Sequence, residues 1–301
     1  MASLTLPSPA KINRFLHIVG RRTDGYHLLQ TVFQFIDLND TLHFSLFSEN
    51  KIELISNIDT IKNENNLIIK AAKLLKKVTQ NRQGMRIVLE KQIPIGGGLG
   101  GGSSNAATTL LALNTLWNLN LPLSTLMRLG AQLGADVPFF IYGHAAWGEG
   151  IGDELTPVTP DEPWVLLLIP PCQISTPKLY SDPRLTRDTP RLRIEAVQLS
   201  DSEQGSSTTV LKNDFETVAK LRYPEVSAAL NWLNQFGTAR MSGSGSTVFA
   251  LFDSYDKAKL IMKKLPDSFK GWIVKSNLIS PLAKKAIDDK IANYKWGVAK
   301  R

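Results

Sequence analysis

Residues 96–104 read GGGLGGGSS, six glycines within seven positions closed by a serine pair, and run directly into the apolar stretch NAATTLLALNTLW of 105–117. Upstream, MRIVLEKQI (85–93) has the pattern of a strand. A strand, a bare backbone and a helix in that order suit an anion. Glycine lets successive peptide units take positive φ and lets a ligand come into contact with the main chain. The unpaired N–H groups of a helix's first turn lie at the positive end of its dipole, and such a place binds phosphate. Charge agrees: from Lys91 to Ala135 there is no aspartate or glutamate, whereas Lys91 and Arg128 are present.

Other glycine-rich devices fit less well. A flexible linker has polar flanks, and these flanks are apolar. Gly96, Gly98 and Gly101 satisfy G-x-G-x-x-G, but the acidic residue expected about 20 positions on in a dinucleotide fold is missing. No Lys-Ser or Lys-Thr pair closes the run, and no HRD or DFG triplet of a protein kinase occurs.

Around this centre the chain alternates strands and helices. Residues 3–20 and 31–56 read as strands joined by RRTDGY, with a turn at Asp24-Gly25. Asn66 is placed to cap a helix from Leu67 to about Val78. Helices are expected over 103–118, capped by Ser103 or Ser104, and over 123–133, capped by Ser124 and stopped by Gly134. TPVTPDEP (156–163) packs three prolines into eight residues ahead of the strand WVLLLI (164–169), and marks a domain boundary. Beyond it come a short helix at 174–180, a polar stretch at 182–208 and two helices over 213–236 split at Pro224. A second cluster, SGSGS (242–246), leads into the strand TVFALF, a helix at 255–264 and the strand GWIVK. Strand-strand-helix-strand order in both halves predicts an α+β class with antiparallel or mixed sheets. The expected units are 1–160, 161–282 and a basic tail, 283–301, that reads as a solvated terminus.

The chain has 301 residues, 43% hydrophobic and 21% charged, which suits a globular protein of two modest domains. A formal charge of +8 and a pI near 9.5 call for an anionic partner. Nucleic acid is one such partner, but interleaved aromatics and clustered Lys/Arg are lacking outside the tail. No segment has signal-peptide or membrane-span character, so the expected location is the cytoplasm. The single cysteine, Cys172, excludes an intramolecular disulfide, and the four histidines lack metal-ligand spacing. A monomer or weak homodimer is expected.

The first acid after Glu90 is Asp136, in LGADVPFFIYG, which the following Pro138 predicts to be extended. It is either a cap or turn residue or a partly buried general base held ionised by a nearby cation. Lys11, in PSPAKINRFLHI, is a candidate for that cation, although periodicity alone makes it the outward residue of a strand. In TDGYHLLQTVFQFID (23–37), Tyr26, His27 and Phe33 surround a turn, either stacking on a planar base or forming a small core beneath a hairpin.

Four stretches in order, PAKINRFLHIVGRRTDGYHLLQTVFQFID, PIGGGLGGGSSNAATTLLALN, LGADVPFFIYGHAAWGEGIG and RMSGSGSTVFALF, closely resemble the GHMP superfamily of small-molecule kinases. The resemblance spans about residues 7–281. The first two stretches are specific to the branch acting on 4-diphosphocytidyl-2-C-methyl-D-erythritol. The resemblance implies a two-domain GHMP-kinase fold with the active site in the interdomain cleft. It also implies ATP- and Mg²⁺-dependent phosphorylation of that substrate's 2-hydroxyl, a step of the non-mevalonate route to isoprenoid precursors.

By the same resemblance, Asp136 is the catalytic base and Lys11 the lysine beside it. The loop Pro94-Ile95-Gly96-Gly97-Gly98-Leu99-Gly100-Gly101-Gly102-Ser103-Ser104 holds the ATP phosphates. Tyr26 and His27 stack on and hydrogen-bond cytosine, with Phe33 nearby and Tyr180 on the base's opposite face. Asn13 contacts substrate, and Gly243 and Ser244 belong to a third motif near the transferred phosphate. The superfamily's usual loop is nearer P-x-x-x-G-L-G-S-S-A, and a glutamate that some members use for magnesium is missing, so the metal's protein ligand stays unassigned. Homoserine and mevalonate kinases are the alternatives within the superfamily; Tyr26, His27 and the extended loop argue against them.

Overall fold

In the computed structural model, which describes residues 3–58, 64–195 and 211–288, two long strands open the chain. They are β1 (Ser3–Arg21) and β2 (His27–Phe47), paired antiparallel from Ser3↔Ser45 to Arg21↔His27. Gly25, at φ +92°, makes the turn between them. The strand expected over 31–56 divides, because polar SENK (48–51) separates β2 from β3 (Ile52–Ser56).

Every residue of β1 from Ser8 to Ile18 is buried. Register shifts at Pro9/Ala10, Asn13/Leu16 and Ile18/Gly20 re-aim its side chains. Leu6 therefore enters one core, Ala10 and Ile12 a second, and Leu16 and Ile18 a third. The register is unbroken from Ala10 to Asn13, so Lys11 does alternate with Ala10 and Ile12, but its face of the strand is covered too, and Lys11 is buried at 3% exposure.

Next come α1 (Leu67–Thr79), whose cap Asn66 accepts the Ile68 N–H at 2.8 Å, and β4 (Gly84–Glu90). The helix after the glycine run, α2 (Gly101–Leu116), starts two residues earlier than expected. Its N-cap is Gly100 at φ +73°, not Ser103 or Ser104. It is buried continuously from Ser104 to Asn114, a central helix enclosed on every side, with Ser104, Asn105, Thr108, Thr109 and Asn114 buried among its apolar residues. Pro122, not Ser124, caps α3 (Leu123–Ala131). The half closes with α4 (Val137–Tyr142), β5 (Ala146–Glu149) and β6 (Glu154–Pro157).

The second half contains β7 (Trp164–Ile169), α5 (Thr176–Tyr180), α6 (Phe215–Arg222) and α7 (Pro224–Leu233), with the helix break falling at Pro224. Then follow β8 (Arg240–Met241), β9 (Val248–Phe252), α8 (Tyr255–Met262), β10 (Lys270–Asn277) and α9 (Pro281–Asp288). The polar stretch at 182–208 lies partly outside the described residues.

The strands run β3-β4-β2-β10-β7-β9-β8, with β1 and β5 also on β2 and β6 on β5; β3–β4 is parallel and the other pairs antiparallel. This is the mixed α+β arrangement expected. β10 joins the halves, pairing with β7 over Lys270–Lys275 and with β2 at Ser276↔Ile36 and Asn277↔Phe35. An apolar layer that includes Ile12, Ile36, Leu99, Val165 and Phe249 fills the space beneath the junction. The start of the expected tail is not solvated: Leu282, Ala283 and Ala286 of α9 pack into the core of the first half. An amphipathic period of three to four residues runs through PLAKKAID and carries it inward. Residues 289–301 lie outside the described residues.

Candidate active site

The glycine run turns through positive φ at Gly96, Gly98 and Gly100. Two of these need glycine for space as well as for conformation. A Cβ on Gly98 would lie 2.2 Å from the Ser242 carbonyl oxygen, and one on Gly100 2.7 Å from the Phe140 ring and 3.1 Å from Lys11 Cε. The loop is sewn to its surroundings by its own carbonyls. Gly97 O accepts from Thr247 N (3.1 Å), Gly98 O from Ser242 Oγ (3.1 Å) and Leu99 O from Lys11 N (3.0 Å). Its N–H groups are thereby turned to the other side, where Pro94–Ser103 floor a cleft of about 420 Å³ bounded by Asn65, Asn66, Leu67, Lys91 and Asn105.

Both ends of this loop meet on one carboxylate. Asp40, fully buried on β2, accepts from Gln92 N and Ile93 N (each 2.8 Å), Lys91 Nζ (2.7 Å) and Asn105 Nδ2 (2.9 Å). Asn105 Nδ2 also donates to Ser8 Oγ (2.8 Å), which donates to Ser104 Oγ (2.8 Å). Burial pulls the Lys91 ammonium below the ordinary lysine range, and Asp40 pulls it back. Sequence reading missed Asp40, yet a signal was there: it shares its inward phase with Leu38, Leu42 and Phe44, and a lone inward acid requires partners.

A second pocket, about 360 Å³, lies on the opposite side of Gly98 and Gly100. At its base Lys11 Nζ stands 3.3 Å from Asp136 Oδ2, donates to Asn13 Oδ1 (2.6 Å) and sits 5.5 Å from the Phe33 ring centroid. The lysine side chain is 4% exposed and the aspartate 31%, so the carboxylate is the member a ligand reaches. Asn13 is held in turn by donating to Thr31 Oγ1 (2.9 Å).

Asp136 is not extended. It is the N-cap of α4 with helical φ −79° and ψ −15°, and its side chain makes no capping bond. Pro138 constrains Val137 rather than Asp136, and it falls in the first turn of α4, where proline's missing N–H has no partner to lose.

The far wall comes from the second half. The Tyr180 ring packs edge-on against Phe215 (4.9 Å, 81°) and lies stacked on His27 (4.6 Å, 21°). Burial, and secondly the Asp136 charge, push its phenol up to about 12. Ser244 Oγ is 2.6 Å from Thr176 Oγ1. Asn213, which sequence reading did not single out, donates to both Met241 O and Gly243 O (2.7 Å each) and fixes the second glycine cluster.

The model of the GHMP kinases N terminal domain matches residues 66–144, and that of GHMP kinases C terminal matches 194–271. The chain is 48% identical to the 4-diphosphocytidyl-2-C-methyl-D-erythritol kinase of Marinobacter nauticus, over 95% of this chain and 98% of that one. It is 47% identical to the kinase of the same name from Pseudomonas savastanoi pv. phaseolicola, over 94% and 96%. A crystal structure of 4-(cytidine 5'-diphospho)-2C-methyl-D-erythritol kinase superposes with a TM-score of 0.78 at 32% identity, covering 91% of this chain and 99% of that one. The chain belongs to this family of GHMP kinases. The mevalonate kinase of Methanococcus jannaschii, with a TM-score of 0.66 at 18% identity over 92% and 99%, shares the fold.

Within this GHMP kinase, Lys11, Asn13, Asp136, Tyr180, Gly243 and Ser244 converge on the inner pocket, as does Phe33. Phe33, however, is 2% exposed and stacked on Phe139 (4.9 Å, 28°), so its ring is chiefly a floor beneath Lys11. Ser104 departs from expectation. Because α2 begins at Gly101, its N–H is bonded to Gly100 O (2.9 Å) and its hydroxyl faces the buried Ser8, so it turns away from the cleft while Ser103 lines it. Tyr26 stands 61% exposed on the first turn and does not line the pocket, whereas His27 reaches the wall through Tyr180.

Proposed function

We infer that this chain transfers the γ-phosphoryl group of ATP to the 2-hydroxyl of 4-diphosphocytidyl-2-C-methyl-D-erythritol. The observation that carries this reading is the Lys11–Asp136 pair at 3.3 Å, beside the two glycines, Gly98 and Gly100, that both pockets share. An acceptor in one pocket and a triphosphate in the other would meet there.

Phosphoryl transfer asks a protein for alignment and for stabilisation of spreading charge. In our reading, the loop N–H groups and the start of α2 hold the phosphates. Asp136 takes the hydroxyl proton as the oxygen attacks. Lys11, with two of its three donors engaged by Asp136 and Asn13, keeps that carboxylate oriented and adds positive charge beside the transferring group. Tyr180 and His27, stacked on one another, form the wall against which the cytosine rests, and Tyr26 covers it from the rim. Binding at that remote end positions the reacting hydroxyl. The division at 160 then separates a nucleotide-holding half from one that supplies Tyr180 and the second glycine cluster.

Magnesium fits this cleft on limited terms. The described residues hold no group of three or more His, Cys, Asp or Glu that could cage an ion, but Mg²⁺ needs only one or two protein ligands beside phosphate and water. Ser103 and Asp136 are the residues that would hold it. When bound it neutralises charge on the β- and γ-phosphates. Among the described residues no helix is long and apolar enough to cross a membrane.

The test is ADP release from Mg-ATP with the cytidyl substrate against homoserine, mevalonate and no acceptor. Release with the cytidyl substrate alone is expected, and equal release with mevalonate overturns the assignment.

A further inference from the structure

Arg187 follows α5, and its guanidinium is anchored on three carbonyls. Nη1 donates to Leu185 O (2.9 Å), and Nη2 donates to Tyr180 O and Asp182 O (2.8 Å each). A further donor, Nε, points to His27 Nε2 at 3.2 Å. Guanidinium is charged throughout the working pH range and has no acceptor. His27 Nε2 must therefore offer its lone pair, and the ring's single hydrogen must sit on Nδ1. His27 is 8% exposed and held flat against Tyr180, so a half-turn of the ring, which would put a carbon where each nitrogen stands, has to break the stack in passing and would lose the Arg187 contact.

Neighbouring charges do not undo this. Arg21 faces His27 across the β1–β2 pairing. Arg22 is paired with Asp24 (2.8 Å). The Asp182 carboxylate is occupied by Arg184 (2.8 Å) and Arg222 (2.6 Å). The Tyr180 phenol stays neutral. Burial first, then Arg187 and Arg21, hold the imidazole below its ordinary value of about 6.5.

We propose that Arg187 is a positioning residue for base recognition, locking His27 as the neutral imidazole protonated on Nδ1 so that it presents one constant donor. Cytosine offers acceptors at N3 and O2 to such a donor. Uracil, with a hydrogen on N3, opposes it there, and the lock thus favours a cytidyl over a uridyl ligand. The proposal rests on the reading that His27 contacts the base.

The experiment is ¹⁵N NMR of histidine-labelled protein, with His27→Gln identifying which of the four histidine signals belongs to it. In the unmutated protein the proton is expected on Nδ1 at pH 8, and the ring is expected to titrate below the ordinary histidine value. A proton on Nε2, or titration near 6.5, overturns the lock whatever the substrate does. Arg187→Met then reads its consequence. At pH 8 the freed ring divides between tautomers and substrate KM rises severalfold over the parent. Below the variant's own titration midpoint, read in the same spectra, the imidazolium restores an Nδ1 donor, and the ratio of variant to parent KM shrinks. A ratio equal at both pH values reduces Arg187 to a loop brace and overturns the proposal. Unchanged substrate KM in His27→Gln overturns the base reading instead, leaving the tautomer result standing.

Discussion

The phosphate side and the base side of the cleft are built on different terms. The first is one continuous stretch, from β4 through the glycine loop into α2, whose main chain supplies the donors and whose two ends are tied to Asp40. The second is assembled from the first turn, α5, the segment around Arg187 and α6, which meet only after the chain has folded. A contiguous main-chain site depends on conformation and space. An assembled one depends on what each side chain holds in place.

Substitutions can break this contrast. The largest effect is expected at the junction: Asp136→Asn should lower kcat by about 10²–10⁴-fold, the usual contribution of acid–base catalysis, with ATP binding and thermal midpoint retained. Near-normal single-turnover rates would remove the base assignment. Asp40→Asn leaves Lys91 buried without its counter-charge, at a cost of about 3–5 kcal/mol. Denaturant unfolding should show that loss, and ATP KM should rise more than substrate KM; equal changes in both would mean that Asp40 does not serve the phosphate side in particular.

Gly98→Ala adds strain of about 1–3 kcal/mol at a positive φ and drives a methyl against Ser242. Gly96→Ala, at a similar φ with nothing within 4 Å, should cost less. Equal losses of nucleotide affinity in the two variants would show that conformation alone matters there. Tyr180→Ala should weaken substrate binding by about 1–3 kcal/mol, the scale of one base–aromatic stack, and Tyr26→Ala by less and without loss of stability, because its ring is exposed. Isothermal titration with substrate and ATP separately measures both, and a change in ATP affinity from either would blur the division between the sides.

The contrast also governs what the sequence discloses. The glycine loop was legible because its residues are adjacent and its composition is unusual; several strands and helices fell near their observed bounds, whereas α4, β5, β6 and α9 were not anticipated and the strand expected over 31–56 divides. The start of α2 was misplaced because serine is the commoner cap, whereas here the αL Gly100 begins the helix and Ser104 is left to bond Ser8. Lys11 was ambiguous because alternation gives the face on which it lies but not that other parts of the chain cover that face. Asp40, Asn213 and Arg187 were not singled out, since the partners that give each its task lie elsewhere in the chain. Resemblance, which compares whole constellations, supplied Lys11, Asp136 and Tyr180 where periodicity alone could not choose.

The order in which the molecule is made gives β10 one more consequence. Among the described strands it leaves the ribosome last, yet it is the one that joins the two halves, and α9, later still, completes a core begun by the first strands. The nascent amino-terminal half must therefore wait with an open sheet edge and an uncovered apolar face until residues 270–288 have been made. During that interval it is a client for chaperones, and a stop codon placed before residue 270 should yield aggregate rather than a smaller soluble unit.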